Sequence, residues 1–193
     1  MWQKIEKLIQ QSQRKIRNLP LEGVAVNPER RNYYRFLYHL VKQFKPKLCL
    51  EIGIQSGMAS AYMCAAGSHV IGIDIIGPGM AMPDNFHFVY GDSTDISIYD
   101  EVARLVAEYG KLGLVFQDSS HHYLPSKREW ELYSQLLAPN AIWICDDITP
   151  AFYNAETDPP GKGMIQYFEE LPGDKRLYQD VLHFGNRQGI VLL

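Results

Sequence analysis

The sequence predicts an α/β domain built on a doubly wound, mostly parallel sheet with helices on both faces, and three observations carry that expectation. Short apolar runs alternate along the chain with amphipathic stretches of helical period, a rhythm that requires a parallel sheet covered by crossover helices. The runs are near-continuous in Val, Ile, Leu and Phe, as strands buried on both faces should be. Glycines and acidic residues collect where these runs end, and in such sheets ligands bind at the carboxyl ends of the strands, near the point where strand order reverses.

The elements follow in order. Trp2, Ile5, Leu8 and Ile9 recur at helical spacing, and Leu19-Pro20 closes that segment. A second helix is expected from Asn27-Pro28, with Tyr33, Leu37, Leu40, Val41 and Phe44 on one face, ending at Lys45-Pro46-Lys47. Strands are expected at 48–52, 69–74, 86–90, 112–116 and 141–145. Helical stretches lie at 57–66, around Ile98 to Tyr109, from Ser126, and from Gly163 to Glu170. Ser126-Lys127-Arg128-Glu129 reads as a capping box that opens the helix burying Trp130, Tyr133, Leu136 and Leu137. The end reads as a hairpin, Tyr178 to Phe184 and Gly189 to Leu193, joined through Gly185-Asn186-Arg187-Gln188.

A length of 193 residues suits one well-buried domain. The helices of residues 1–46 are expected as a cap, or as a contact to substrate or to a second copy, forming one structural unit with residues 47–193. The formal charge of -3 argues against a protein that lives on phosphate backbones. No apolar run reaches the ~20 residues that cross a bilayer, and the first residues lack the apolar core of a signal peptide. Cys49, Cys64 and Cys145 sit in apolar stretches without metal-ligand spacing, so they read as small buried hydrophobes in a reducing, cytoplasmic setting.

The strand ends carry the chemistry. Glu51-Ile52-Gly53-Ile54-Gln55-Ser56-Gly57 closes the first strand, where Gly53 and Gly57 permit a tight turn and close backbone approach to a ligand. Glu51 would repel a pyrophosphate but suits a positively charged ammonium or sulfonium group. Asp74, with Ile75 beside it, ends the second strand, where a carboxylate can accept hydrogen bonds from ribose hydroxyls. Gly91-Asp92-Ser93 follows the third strand, placed to meet the edge of a base.

The order Glu51-x-Gly53, Asp74, Gly91-Asp92-Ser93, Asp118, Asp146-Asp147 resembles the class I S-adenosylmethionine-dependent methyltransferases. The resemblance covers residues 48 to 193. It implies a seven-stranded sheet with an antiparallel last strand, and S-adenosylmethionine held by Glu51, Gly53, Gln55, Ser56, Gly57, Asp74, Ile75, Gly91, Asp92, Ser93 and Asp118. Within the class, Val115 to Tyr123 looks like the aspartate-x-x-histidine stretch of a small-molecule O-methyltransferase family, the cephalosporin-hydroxylase-like and macrocin-type enzymes. Asp118 to Asp147, with Tyr123-Leu124-Pro125, is also similar to catechol O-methyltransferase.

In that metal-dependent subgroup three groups hold one magnesium ion. Carried onto this sequence they are Asp118, Asp146 and Asp147, and hard oxygen ligands on neighbouring strand ends can share a divalent cation. The competing reading leaves Asp118 to orient substrate or cofactor while Asp146-Asp147 caps the next segment. The lysine that serves the catechol enzymes as base has no counterpart between Asp118 and Tyr123. His121 or His122 stands there instead, with His121 fitting the aspartate-x-x-histidine pattern. The expected reaction is methyl transfer to a small hydroxylated molecule such as a sugar or phenol, with Asp118, His121 and His122 as catalytic candidates. A metal-independent methyltransferase, a non-catalytic cofactor binder and, least, a nicotinamide dehydrogenase stand as alternatives. The last is opposed by Glu51 and by the absence of G-x-G-x-x-G. Tyr33, Tyr34, Phe36 and Tyr38 suit a pocket wall, a contact between copies in a homo-oligomer, or plain packing. Phe152 to Gly163, beyond the acidic pair, suits a lid.

Overall fold

The computed structural model describes residues 1–13, 31–150, 156, 158–179 and 187–193. In chain order these form α1 (Trp2–Gln13), α2 (Arg31–Phe44), β1 (Leu48–Ile52), α3 (Met58–Ala65), β2 (His69–Asp74) and β3 (Phe86–Tyr90). There follow α4 (Ile96–Tyr109), β4 (Leu112–Gln117), α5 (Tyr123–Tyr133), a 3-10 turn (Ser134–Leu136), β5 (Leu137–Cys145), α6 (Met164–Glu170), β6 (Asp174–Gln179) and β7 (Arg187–Leu192). The seven strands lie in one sheet in the order β3-β2-β1-β4-β5-β7-β6. All neighbours from β3 through β5 pair in parallel, and β7 runs antiparallel to both β5 and β6. The expected mixed sheet with an antiparallel last strand is therefore the observed one.

Two apolar layers flank the sheet. One gathers Ile5 and Ile9 of α1, Phe36, Leu37, Leu40 and Val41 of α2, and Tyr62 and Met63 of α3 against Cys49, Val70, Leu114, Phe116, Ile142 and Ile144. The other packs Val102 and Leu105 of α4, Leu132 and Tyr133 of α5 and Tyr167 of α6 against Leu50, Ile71, Val115 and Trp143. Strand alternation explains the division, since successive residues of one strand face opposite layers. Tyr34 and Phe36 are buried in the first layer, Tyr34 against the Tyr62 ring at 5.5 Å, so their part in the aromatic stripe is packing. The Tyr33 side chain lies outside the described residues, as do Leu19-Pro20, Asn27-Pro28, residues 180–186 of the expected hairpin and Phe152 of the expected lid.

Three boundaries differ from expectation. Helix α5 begins at Tyr123, not Ser126, because Asp158 Oδ1 accepts a hydrogen bond from the Tyr123 backbone N–H at 3.0 Å. Pro125 is tolerated in that first turn, where its missing N–H has no helical partner to lose. Ser126 and Glu129 are thus helix-interior residues, both buried, rather than a capping box. Strand β5 begins at Leu137, so Leu137 leaves the helix it was assigned to. The terminal hairpin starts at Asp174, with Asp174 opposite Leu192 and Gln179 opposite Arg187. There β6 is an edge strand whose polar residues bind α1: Trp2 Nε1 donates to Asp174 Oδ2 at 2.5 Å, and Arg176 pairs with Glu6. Charged edge positions suppress unwanted strand pairing and also hide the strand's apolar signature.

The order of strands reverses between β1 and β4, and this junction is drawn tight. Gly53 has φ +84°, and a Cβ there would lie 2.1 Å from the Asp118 carbonyl oxygen. Gly53 N–H bonds to Ile73 O at 2.9 Å, and Asp118 N–H bonds to Ile52 O at 2.8 Å, locking the ends of β1, β2 and β4 together. Gly53→Ala should lower stability by roughly 2–6 kcal/mol, the sum of a left-handed non-glycine residue and an overpacked contact. Gly67, also left-handed at φ +103° but with nothing within 4 Å, isolates the backbone contribution. Urea denaturation of Gly53→Ala and Gly67→Ala should separate them clearly, and equal losses would show that the β1–β4 approach tolerates a methyl group.

Candidate active site

A cavity of about 390 Å³ opens at this junction, within the size range of small-ligand sites. Its walls come from the loops after four strands: Gly53 and Gln55 after β1, Asp74 and Ile75 at the end of β2, Gly91 to Thr94 after β3, and Asp118 to Ser120 after β4. Pro125 and Glu129 of α5 complete it. Of the residues expected to hold a cofactor, Gly53, Gln55, Asp74, Ile75, Gly91, Asp92, Ser93 and Asp118 therefore meet in one place. Glu51, Ser56 and Gly57 do not line it.

Asp74 is set by the loop beside it. Its Oδ2 accepts the Gln55 N–H at 2.9 Å and its Oδ1 accepts the Ile76 N–H at 3.0 Å, leaving lone pairs on both oxygens for further donors. Gln55 holds φ +45° to present that N–H. Gly57 turns away from the cavity, since a Cβ there would meet Met82 Sδ at 2.7 Å. Glu51 also faces away. Its carboxyl is buried on the α3 side, where the Ser60 hydroxyl donates to Oε2. Burial pushes it from an ordinary 4.5 up to about 8, against the opposing Ser60 bond. The negative charge expected near the cofactor's positive region is thus replaced at neutral pH by a mostly protonated, internally bonded group.

Beyond the cavity the acidic residues and histidines form a second cluster. His121 adopts φ +56° and Asp147 φ +53°. Between them His121 Nε2 stands 3.5 Å from Asp118 Oδ1 and 3.6 Å from Asp147 Oδ2. Burial lowers the His121 pKa, with the Asp147 carboxylate opposing and His122 adding to the drop. His122 faces the other way, with Nδ1 3.4 Å from Asp158 Oδ2, so the adjacent histidines serve different neighbours.

Asp146 has hydrogen-bond partners of its own. Its Oδ1 accepts Gln188 Nε2 at 2.7 Å and the Asp147 N–H at 2.9 Å. Gln188, expected in the hairpin turn, is instead a buried β7 residue. Among the described residues no group of three His, Cys, Asp or Glu side chains is placed to hold a metal ion. Asp118 and Asp147 nevertheless suit a divalent cation, because their oxygens are hard donors and the buried Asp147 Oδ1 has no hydrogen-bond partner.

Glu129 is the site residue that sequence reasoning missed. Its carboxylate takes hydrogen bonds from Ser93 Oγ at 2.5 Å, Gln117 Nε2 at 2.6 Å and Ser119 Oγ at 2.9 Å. Burial raises its pKa while those three donors oppose the rise. The available signal was spacing: a helix starting at Tyr123 puts Ser126 and Glu129 on one face with the buried Tyr133.

Glu51 gives the protein a predictable pH dependence. With its folded pKa raised, it binds a proton in the folded state that the unfolded chain has released. Its contribution is fully present below about 4.5 and is lost as pH rises to about 8. Glu51→Gln should flatten the decline in unfolding free energy across that window, an effect on the order of a few kcal/mol. Parallel pH slopes for the two proteins in chemical denaturation would show that Glu51 ionises normally.

The methyltransferase domain family matches residues 50–148, just over half of the chain. No curated protein matches it. Among solved structures, the O-methyltransferase TomG from Streptomyces achromogenes, involved in tomaymycin synthesis and in complex with SAM, superposes with a TM-score of 0.62 at 16% identity. That match covers 96% of this chain and 89% of TomG. The O-methyltransferase from Bacillus cereus in complex with SAH gives a TM-score of 0.58 at 15% identity, covering 99% and 91% of the two chains. The MycE methyltransferase of the mycinamycin biosynthetic pathway, in complex with Mg, SAH and mycinamycin VI, gives 0.59 at 16% identity. The match covers 80% of this chain and 48% of MycE, so the chain spans about half the length of that relative. With the strand order, the glycine turn and the acid at the end of β2 in place, the chain belongs to the methyltransferase domain family and has the class I methyltransferase fold.

Proposed function

We propose that this chain transfers the methyl group of S-adenosylmethionine to a hydroxyl oxygen of a small molecule. The observation that carries the reading is adjacency: Asp118 lines the cavity that begins at Asp74 and also contacts His121 of the acidic cluster. A nucleoside cofactor bound with its ribose on Asp74 would extend toward Asp118, bringing its reacting end to the histidine. The fold relatives TomG and the Bacillus cereus enzyme, crystallised with SAM and SAH, support the cofactor assignment.

The acceptor oxygen attacks the methyl carbon, the carbon–sulfur bond breaks with its electron pair left on sulfur, and the hydroxyl proton passes to His121. A lowered pKa keeps His121 neutral and ready to accept. Once protonated, its imidazolium lies between the Asp118 and Asp147 carboxylates, which stabilise the charge as the acid of a catalytic triad does. Asp118 and Asp147 would hold a divalent cation, magnesium by the precedent of MycE, whose chemistry when bound is to lower the acceptor hydroxyl's pKa. A metal-independent version of the reaction is favoured by one observation, the engagement of Asp146 by Gln188.

S-adenosylhomocysteine should bind with micromolar affinity, about 8 kcal/mol, while NAD should not compete. Asp74→Ala should weaken that binding by about 1.5–3 kcal/mol, the range for hydrogen bonds to a charged group. Calorimetric titration measures both, and unchanged affinity in the variant would remove Asp74 from the site. With an acceptor in hand, His121→Ala should slow methyl transfer roughly 10²–10⁴-fold and leave cofactor affinity unaltered. Chelation should suppress turnover in the metal-assisted version. Full activity in chelator would select the metal-independent one.

A further inference from the structure

The end of the cavity walled by Asp92, Ser93 and Glu129 is polarised in one sense, and the polarisation starts in the core. Trp143 Nε1, which can only donate, bonds to Gln117 Oε1 at 3.1 Å, and Tyr167 OH donates to the same oxygen at 2.7 Å. This fixes the Gln117 amide so that Nε2 must donate to Glu129 Oε2. The hydroxyl protons of Ser93 and Ser119 are committed to Glu129 as well. Thr94 commits its own to Asp92 Oδ1 at 2.7 Å. All of these residues but Gln117, Trp143 and Tyr167 line the cavity. What their side chains turn toward a ligand is therefore acceptor oxygen: the carboxylates of Asp92 and Glu129, and the hydroxyl oxygens of Ser93, Thr94 and Ser119, whose protons are committed within the protein.

We propose that Glu129 is a specificity-determining residue for the purine of the cofactor, admitting a base that donates from its 6-position and rejecting one that accepts there. Three of the roughly four lone-pair directions of its carboxylate are filled from within the protein. The remaining one suits an exocyclic amino group. A 6-oxo purine would set a carbonyl oxygen against the Glu129 carboxylate, which is the costly case of unpaired buried polar groups. The proposal rests on the cofactor reading above and adds the residue that selects its base.

The experiment compares S-adenosylhomocysteine with S-inosylhomocysteine by calorimetry on the full chain. Wild type should favour the adenosyl compound on the order of 10²-fold or more, as sites that read a substrate N–H do. Glu129→Gln supplies an amide that can donate, and should bring the two affinities to within roughly tenfold of each other. Asp74→Ala should weaken both and leave their ratio intact. A native-melting Glu129→Gln protein with the wild-type ratio would overturn the proposal while sparing the cofactor reading. A wild type that binds neither compound would overturn both. Should Glu129→Gln fail to fold, S-adenosylhomocysteine labelled with ¹⁵N at the 6-amino group decides on wild type alone. Its amino protons should move downfield and exchange slowly when bound, and free-solution behaviour in the complex would overturn the proposal.

Discussion

The contact on which the rest of the site depends is the approach of Gly53 to the Asp118 carbonyl, where strand order reverses. Neighbouring strands in a sheet lie about 4.8 Å apart, and here two loops must leave adjacent strand ends toward opposite layers without a side chain between them. A residue with no Cβ and φ +84° meets that demand. Because the loop from Gly53 stays close, Gln55 can deliver its N–H to Asp74. On the other side, the chain leaving Asp118 turns within a few residues to place His121 back over the carboxylate it has just passed. The cavity and the acidic cluster are thus two sides of one backbone constraint.

Below them lies a polar network that is unusual for the interior of a sheet. Gln117, at the last position of β4, is buried and joins Trp143, Tyr167, Ser126 and Glu129 through side-chain bonds. Buried polar groups are tolerated when every donor and acceptor is matched, and here both the Gln117 oxygen and nitrogen are. The network links α5 and α6 to β4 and β5, so the helix that carries Glu129 is held by directional bonds as well as by apolar packing. Such bonds fix orientation more strictly than apolar contact does, which suits a helix that forms one wall of a binding cavity.

The sequence disclosed what is periodic or local. Strands β1 to β4 are apolar runs closed by glycines or acids, and their helices show one-sided patterns, so both could be read from neighbouring residues. Asp74, Asp92, Asp118 and His121 were legible because each follows a strand whose end is itself legible. What escaped depends on partners distant in the chain. Asp158 caps α5 from 35 residues downstream, so the helix start was placed at the local Ser126 signal instead. Gln188 engages Asp146 Oδ1 from 42 residues away, a partner that no local signal announced. Edge strand β6 carries its meaning in bonds to α1, 172 residues apart at Trp2 and Asp174, and not in its own hydrophobicity.

The two adjacent histidines show how little sequence position alone decides. His121 and His122 share the same loop, yet one residue of backbone separates two environments. The left-handed conformation of His121 turns its ring toward Asp118 and Asp147. His122, extended at φ -117° and ψ 150°, is the N-cap of α5 and faces Asp158. A non-glycine residue in the left-handed region carries a backbone cost of order 1–3 kcal/mol, and such residues concentrate where function over-determines the geometry. Asp147, its partner across the cluster, carries the same kind of strain at φ +53°. Strain on both sides of one imidazole–carboxylate contact is hard to account for by packing alone, because relaxing either backbone would release energy and part the two groups. The arrangement is better understood as a fold that holds an imidazole between two carboxylates, one of which, Asp118, also lines the cavity. On the proposed reaction, that makes His121, rather than the more exposed His122, the residue to receive the proton.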